Sequence, residues 1–123
     1  LRVSLNSSSI EEVRAAKMIL QTLGFRNLLP EIISCPTCSR CKVNLREKVE
    51  TFRSFIYSRS FPNKDIRIAL MGCPVNGPGE ASSADVGIAF GRGFGVLFED
   101  GKIIKRLPER QCLDILKKRM MVK

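Results

Sequence analysis

Asp65-Ile66-Arg67-Ile68-Ala69-Leu70-Met71-Gly72-Cys73-Pro74-Val75-Asn76-Gly77-Pro78-Gly79-Glu80 is the stretch on which the reading of this chain turns. Residues 65–71 form a short apolar run that reads as a buried strand. Past Met71, two prolines and three glycines fix or free almost every backbone torsion. On that composition neither a helix nor a ladder is expected, and the nine residues from Gly72 to Glu80 read as one shaped loop. A tight turn needs about four residues, and longer shaped loops are usually functional. This one offers the thiol of Cys73 at one end, the carboxylate of Glu80 at the other, and Asn76 between them. It reads as one wall of a metal site.

A second wall stands earlier in the chain, at Cys35-Pro36-Thr37-Cys38-Ser39-Arg40-Cys41. A C-x2-C spacing lets a tight turn bring two sulfurs to the same side, and Pro36 stiffens that turn. Such a pair needs at least one further ligand, for which Cys41 and Cys73 compete. Cys41 completes C-x2-C-x2-C, the opening of a bacterial ferredoxin run, but the fourth cysteine and its proline are missing. Cys73, in a loop built for shape, is the favoured third ligand. Cys112 falls beside the apolar stripe of the last helix and reads as a core thiol. Five cysteines and no histidine point to thiolates in a reducing compartment rather than to a disulfide framework, and exclude the histidine-containing zinc sites.

Outward from these two segments, an α/β pattern emerges. Leu1-Arg2-Val3-Ser4-Leu5 alternates with period two and predicts a strand. Ser9 three before Glu12 suggests a capping box, followed by an apolar face of Ile10, Val13, Ala16, Leu20 and Leu23 that Gly24 terminates. Arg2 and Ser4 share one face of the first strand. Spacing alone favours solvent exposure for them, although a strand leading into a loop can also hold an anion. Residues 31–34 predict a short strand feeding Cys35. Leu45, Val49, Phe52 and Ile56 make a helical stripe broken at Phe61-Pro62-Asn63. A helical turn is expected over residues 81–84 and a strand over 85–90. Gly91-Arg92-Gly93-Phe94-Gly95 does not match the dinucleotide fingerprint and reads as a turn. Strands over 96–99 and 102–107 flank Asp100-Gly101, a hairpin signal. Pro108 suits the first position of a closing helix, with Leu113, Leu116 and Met120 inward. The architecture expected is two layers, with helices packed on a mixed β-sheet.

The 123 residues suffice for one compact domain with a core. The chain opens inside an apolar-alternating run, as a piece of something longer would. No apolar stretch reaches membrane-spanning length. Net charge is +9, with 21 Lys and Arg against 12 Asp and Glu, which favours anionic partners. One Tyr, no Trp and no aromatic–basic interleaving give nucleic-acid binding no support.

Cys-Pro-Thr-Cys-Ser-Arg, followed by Met-Gly-Cys-Pro-Val-Asn-Gly-Pro-Gly-Glu-Ala, resembles the C-terminal part of the 4-hydroxy-3-methylbut-2-en-1-yl diphosphate synthases, iron–sulfur enzymes of the non-mevalonate isoprenoid pathway. Leu-Arg-Val-Ser-Leu and Asp-Val-Gly-Ile-Ala extend the likeness over essentially the whole chain. The resemblance implies that residues 1–27 are the final βα unit of a TIM barrel. Residues 28–123 would be a cluster domain related in shape to half of a sulfite reductase. It implies a [4Fe–4S] cluster held by Cys35, Cys38, Cys73 and Glu80. The carboxylate, a harder and weaker partner for such iron than a thiolate, would leave one corner exchangeable. It also implies that Asn76 approaches the substrate beside the cluster, and that Arg2 and Ser4 hold the diphosphate, so that Asn76 and Glu80 are the catalytic candidates. Cys41 departs from the family pattern and stays outside that ligand set.

The implied reaction is two-electron reductive ring opening of 2-C-methyl-D-erythritol 2,4-cyclodiphosphate with loss of water. Flavodoxin or ferredoxin would be the donor, the full-length protein a homodimer, and the compartment bacterial cytoplasm or plastid stroma. Neither nucleic acid nor membrane is an expected partner, and the piece alone is not expected to turn over. Two rival readings use the same cysteines. One is an electron-transfer module with a cluster on Cys35, Cys38, Cys41 and Cys73. The other is a four-cysteine zinc domain binding nucleic acid through its basic surface.

Overall fold

A computed structural model describes residues 1–75 and 77–122. Helix α1 (Ser9–Thr22) leads into β1 (Glu31–Ser34), α2 (Leu45–Tyr57), β2 (Arg67–Met71), α3 (Gly77–Glu80), β3 (Val86–Gly91), β4 (Phe94–Glu99), β5 (Lys102–Pro108) and α4 (Glu109–Val122). The five strands form one sheet in the order β1-β2-β3-β4-β5. The β1–β2 and β2–β3 pairs are parallel, and the β3–β4 and β4–β5 pairs antiparallel. This is the mixed sheet with packed helices expected from the sequence.

Side-chain alternation explains the layers. Ile68 and Leu70 of β2, with Val86, Ile88 and Phe90 of β3, face a core completed by Leu45, Val49, Phe52 and Ile56 of α2 and by Cys112, Leu116 and Met120 of α4. Each fully buried aliphatic or aromatic side chain there contributes about 1.5–3 kcal/mol. The other face is built small: Ala69, Met71 and Ala89 pack with Phe98 against Ala81 and Ala84 of the segment around α3. The α2 stripe is buried as read from its spacing, and Asn44 caps the helix by accepting from the Glu47 N–H at 3.2 Å. Asp100 and Gly101, at φ 49° and 75°, make the two-residue turn between β4 and β5. Arg92-Gly93 similarly joins β3 to β4, with Gly93 at φ 74°, so the glycine run is a hairpin turn.

Three expectations change. Residues 1–5 carry no strand: alternation supplies a face, but a strand also needs a neighbour's backbone, and among the described residues none pairs with it. The helical segment of the proline–glycine loop comes earlier than expected, at Gly77–Glu80 rather than 81–84. Pro78 is tolerated there because it stands in the first turn, where its missing N–H has no intrahelical partner to lose. Finally, α1 forms and ends as read, but it buries none of its residues. Its N-cap is Ser8, one residue earlier than the spacing of Ser9 suggested. Gly24, at φ 76°, closes it with two bonds, Gly24 N–H to Gln21 O and Phe25 N–H to Leu20 O, a Schellman end. Val13 is 54 % and Leu23 62 % exposed, and Ala16 and Leu20 are only half-buried, so the apolar face of α1 is largely uncovered.

Candidate metal centre

Parallel pairing decides where the two cysteine segments lie. Ser34 is in register with Leu70, so β1 and β2 end side by side at the same edge of the sheet. Cys35 is the first residue beyond β1 and Cys73 the second beyond β2. Crevices beyond the carboxyl ends of parallel strands are where open α/β sheets place ligands. The contact is direct, since the Gly72 N–H donates to Cys35 Sγ at 3.4 Å across 37 residues of sequence.

Each loop is shaped by its own backbone. In the first, Thr37 adopts φ 66°, a left-handed conformation that costs a β-branched residue about 1–2 kcal/mol. The Cys41 N–H then closes a turn onto Cys38 O at 3.0 Å. In the second, the Gly77 N–H reaches back to Cys73 O and the Ala81 N–H to Gly77 O, both at 3.0 Å. Gly77 is buried where an added Cβ would stand 2.8 Å from Met71 Cβ and 2.9 Å from Ala89 Cβ, so only glycine lets the loop lie against β2 and β3.

Cys35 and Cys73 are half-buried, Cys38 and Glu80 exposed. Asn76 lies outside the described residues. Arg2 and Ser4 are exposed. Leu5, next to them in the chain, lines a cleft with Tyr57 and Ser58 at the far end of α2, and the 13-residue helix is about 20 Å long. Cys112 is fully buried, as read from the sequence. Its thiol donates to Pro108 O at 3.4 Å, and burial pushes it up to about 11. Cys41 has a place that spacing did not reveal. Its sulfur contacts Val43 O at 3.3 Å, and it packs against Gly72 so closely that an added Cβ there would stand 2.5 Å from Cys41 Sγ. Gly72 is thus held between the sulfurs of Cys35 and Cys41. A glycine immediately after a buried strand was the available signal for such a close approach.

Among the described residues no three Cys, Asp or Glu side chains converge tightly enough to hold a single metal ion. The donors of an iron–sulfur cluster each take a different iron and stand farther apart. Three thiols and a carboxylate on two adjoining loops, with a backbone N–H already directed at one sulfur, fit that kind of group. Hydrogen bonds to ligating sulfur are a recognised means of tuning it. A cleft of about 730 Å³ lies elsewhere, between α1 and the opposite ends of β1–β3, lined by Lys17, Gln21, Arg53, Arg67 and Asp85 among others. It is the gap beneath a helix with no buried residue, and no cysteine reaches it.

The family model described as the GcpE protein C-terminal domain matches residues 31–122. Over 123 residues the chain is 44 % identical to the 4-hydroxy-3-methylbut-2-en-1-yl diphosphate synthase (flavodoxin) of Malacoplasma penetrans, covering 100 % of this chain and 33 % of that protein. It is 47 % identical over 116 residues to the protein of the same name from Thermodesulfovibrio yellowstonii, 94 % of this chain and 32 % of that one. With the Fusobacterium nucleatum protein the figures are 47 % over 122 residues, 96 % and 32 %. The chain spans about a third of the length of the curated relatives it matches.

Proposed function

The chain belongs to the family of GcpE protein C-terminal domains, and on that premise we propose that it is the cluster-bearing part of a 4-hydroxy-3-methylbut-2-en-1-yl diphosphate synthase. The observation that carries the reading is the bond from the Gly72 N–H to Cys35 Sγ, which makes one site of two loops 37 residues apart. Cys35, Cys38, Cys73 and Glu80 would hold a [4Fe–4S] cluster. When bound, that group supplies electrons for reductive opening of the cyclic diphosphate 2-C-methyl-D-erythritol 2,4-cyclodiphosphate, with loss of water.

The protein's own residues bind and orient. Gly72 fixes one ligating sulfur and, through the fold of its loop, the position of Cys73. Glu80 ends α3 with its side chain exposed, so it can swing aside without disturbing the core. Asn76 is assigned to orienting the substrate, and Arg2 and Ser4 to its diphosphate. Residues 1–27 are assigned on this proposal to the last βα unit of a barrel, and the largely exposed apolar face of α1 supports that assignment. Because Leu5 sits at the far end of α2 from the cysteine loops, a homodimer in which a second copy supplies the diphosphate-binding residues suits the geometry. The relatives' name specifies flavodoxin, and flavodoxin rather than ferredoxin is the proposed donor, in the cytoplasm of a bacterium.

Anaerobic reconstitution of the full-length protein tests this. A brown species with stoichiometric sulfide is expected. Glu80→Ala should lower cluster loading or turnover, while Cys41→Ala leaves both in place. The reverse pattern would assign the site to four thiolates, and a colourless zinc adduct would overturn the proposal.

A further inference from the structure

Charge is distributed unevenly between the two ends of the sheet. Six cations rim the end where β1 and β2 finish. Arg40 and Lys42 lie in the first cysteine loop, Arg46 in the first turn of α2, Arg92 in the β3–β4 turn, Arg106 on β5 and Arg110 in the first turn of α4. Arg106 shares a register row with Val96, Ala89 and Met71, which sets it level with the start of the Cys73 loop. All six are exposed, and none has an ion-pair partner among the described residues. The acids at this end are already engaged. Glu109 binds Lys48 at 2.8 Å, Glu47 turns to the Asn44 cap, and Glu80 belongs to the proposed ligand set. Glu31, Asp65, Asp85, Glu99 and Asp100 stand at the opposite end, where Arg67 pairs with Glu31 and Arg119 with Glu99.

Ion pairing does not account for the rim, although Arg106 also stacks 3.6 Å over the Phe94 ring. Arg46 and Arg110 occupy first turns, where the helix dipole favours acids and disfavours cations. On the same loop, two residues past Cys73, Val75 is 81 % exposed. An exposed apolar side chain at the same end of the sheet as six cations outside any ion pair has the character of a small, charge-steered docking surface.

We infer that this rim is the docking surface for an acidic electron-donating protein. The inference rests on the function proposed above, and the relatives' name supplies a donor of that kind, flavodoxin. Strands lie about 4.8 Å apart, so the rim from β1 to β5 is about 20 Å wide, which suits the small interfaces, under about 1,200 Å² in total, of transient electron-transfer encounters. Donor density landing there meets the cysteine loops, and the field of the rim raises the encounter rate. Each docking passes one electron and leaves the donor oxidised by one. Two dockings supply the pair consumed in ring opening, and the proton needed to release water comes from solvent.

The test uses full-length, cluster-loaded protein carrying Arg46→Glu, Arg92→Glu and Arg110→Glu together. All three sites are exposed, and glutamate suits the two helix first turns, so folding is retained. A control reverses Arg26, Lys64 and Lys102 near the other end. Calorimetry reads binding of oxidised flavodoxin across ionic strength, and turnover is compared with reduced flavodoxin and with reduced methyl viologen as donor. The expected result is flavodoxin binding weaker by about tenfold or more at low salt, with a shallower salt dependence. Flavodoxin-driven turnover falls in parallel, and viologen-driven turnover is unchanged. Undiminished flavodoxin binding would overturn the inference. So would an equal loss in the control, which would mean net charge alone. A viologen-driven loss with raised KM for the diphosphate would give the rim to substrate instead. A wild-type protein idle with both donors would overturn the function itself, and the docking surface with it.

Discussion

Gly72→Ala probes how the two cysteine loops are held together. Gly72 does not occupy the left-handed region, so alanine meets no backbone strain there. Its effect on unfolded-chain entropy alone would stabilise by about 0.4–1 kcal/mol. Against this, the new Cβ would stand 2.5 Å from Cys41 Sγ, 3.2 Å from Cys41 Cβ and 3.5 Å from Leu45 Cδ2. The first contact is more than 1 Å too short for carbon and sulfur. Cys41 cannot simply retreat, because it packs on the core beside Leu45 and Val43. Overpacking of this kind costs about 1–3 kcal/mol, so a net loss of about 1–2 kcal/mol is expected. With a urea m-value of about 1–3 kcal/mol/M, the unfolding midpoint should fall by roughly 1 M. Cys41→Ala alone removes one thiol from a half-buried site, at about 1 kcal/mol. In the double variant the offending sulfur is gone, and most of the Gly72→Ala penalty should vanish, a coupling of about 1 kcal/mol or more. Strict additivity across the four proteins in urea unfolding would refute the reasoning, since it would mean that Gly72 and Cys41 do not touch.

Burial raises the Cys112 thiol to about 11 against an ordinary 9.0. Above pH 9 the unfolded chain therefore loses a proton that the folded one keeps, and stability should fall as pH rises from 9 toward 11, a slope that Cys112→Ala removes in urea titrations at several pH values. Thr37→Gly relieves a left-handed β-branched residue and should stabilise the metal-free chain by up to about 1 kcal/mol after glycine's own entropy cost. The same change should loosen the turn that sets Cys35 against Cys38, visible as a lower yield of reconstituted iron.

Much of the fold was legible because local signals and tertiary demands agree. The α2 stripe is buried where period 3.6 puts it. Asp100-Gly101 takes the two positive φ values that its turn requires, and the strands fall within a residue or two of their expected bounds. Where the sequence misled, a second requirement was left out. Residues 1–5 alternate like a strand but have no pairing partner among the described residues. Pro78 and its glycines seemed to forbid a helix, yet a first turn asks nothing of a proline N–H. The apolar face of α1 was read correctly as a face, but periodicity cannot say what covers it. Cys41 looked like a rival ligand or a bystander, and its role as the wall behind Gly72 depends on a contact between segments that spacing cannot express.

The meeting of the two cysteine loops was derivable without any likeness to other proteins. A strand at residues 31–34, a helix over 45–57 and a strand at 67–71 make a βαβ unit, and adjacent strands joined by a helical crossover are parallel. Parallel strands finish at the same edge. Cys35 and Cys73 stand one and two residues past their respective strands, so the topology alone makes their loops neighbours. The same argument carries Arg92 and Arg110 to that edge, because a hairpin after β3 returns there through β4 and β5. One topological fact thus gathers the thiols, the carboxylate and the six rim cations at one end of the sheet, and sets Glu31, Asp65, Asp85, Glu99 and Asp100 at the other.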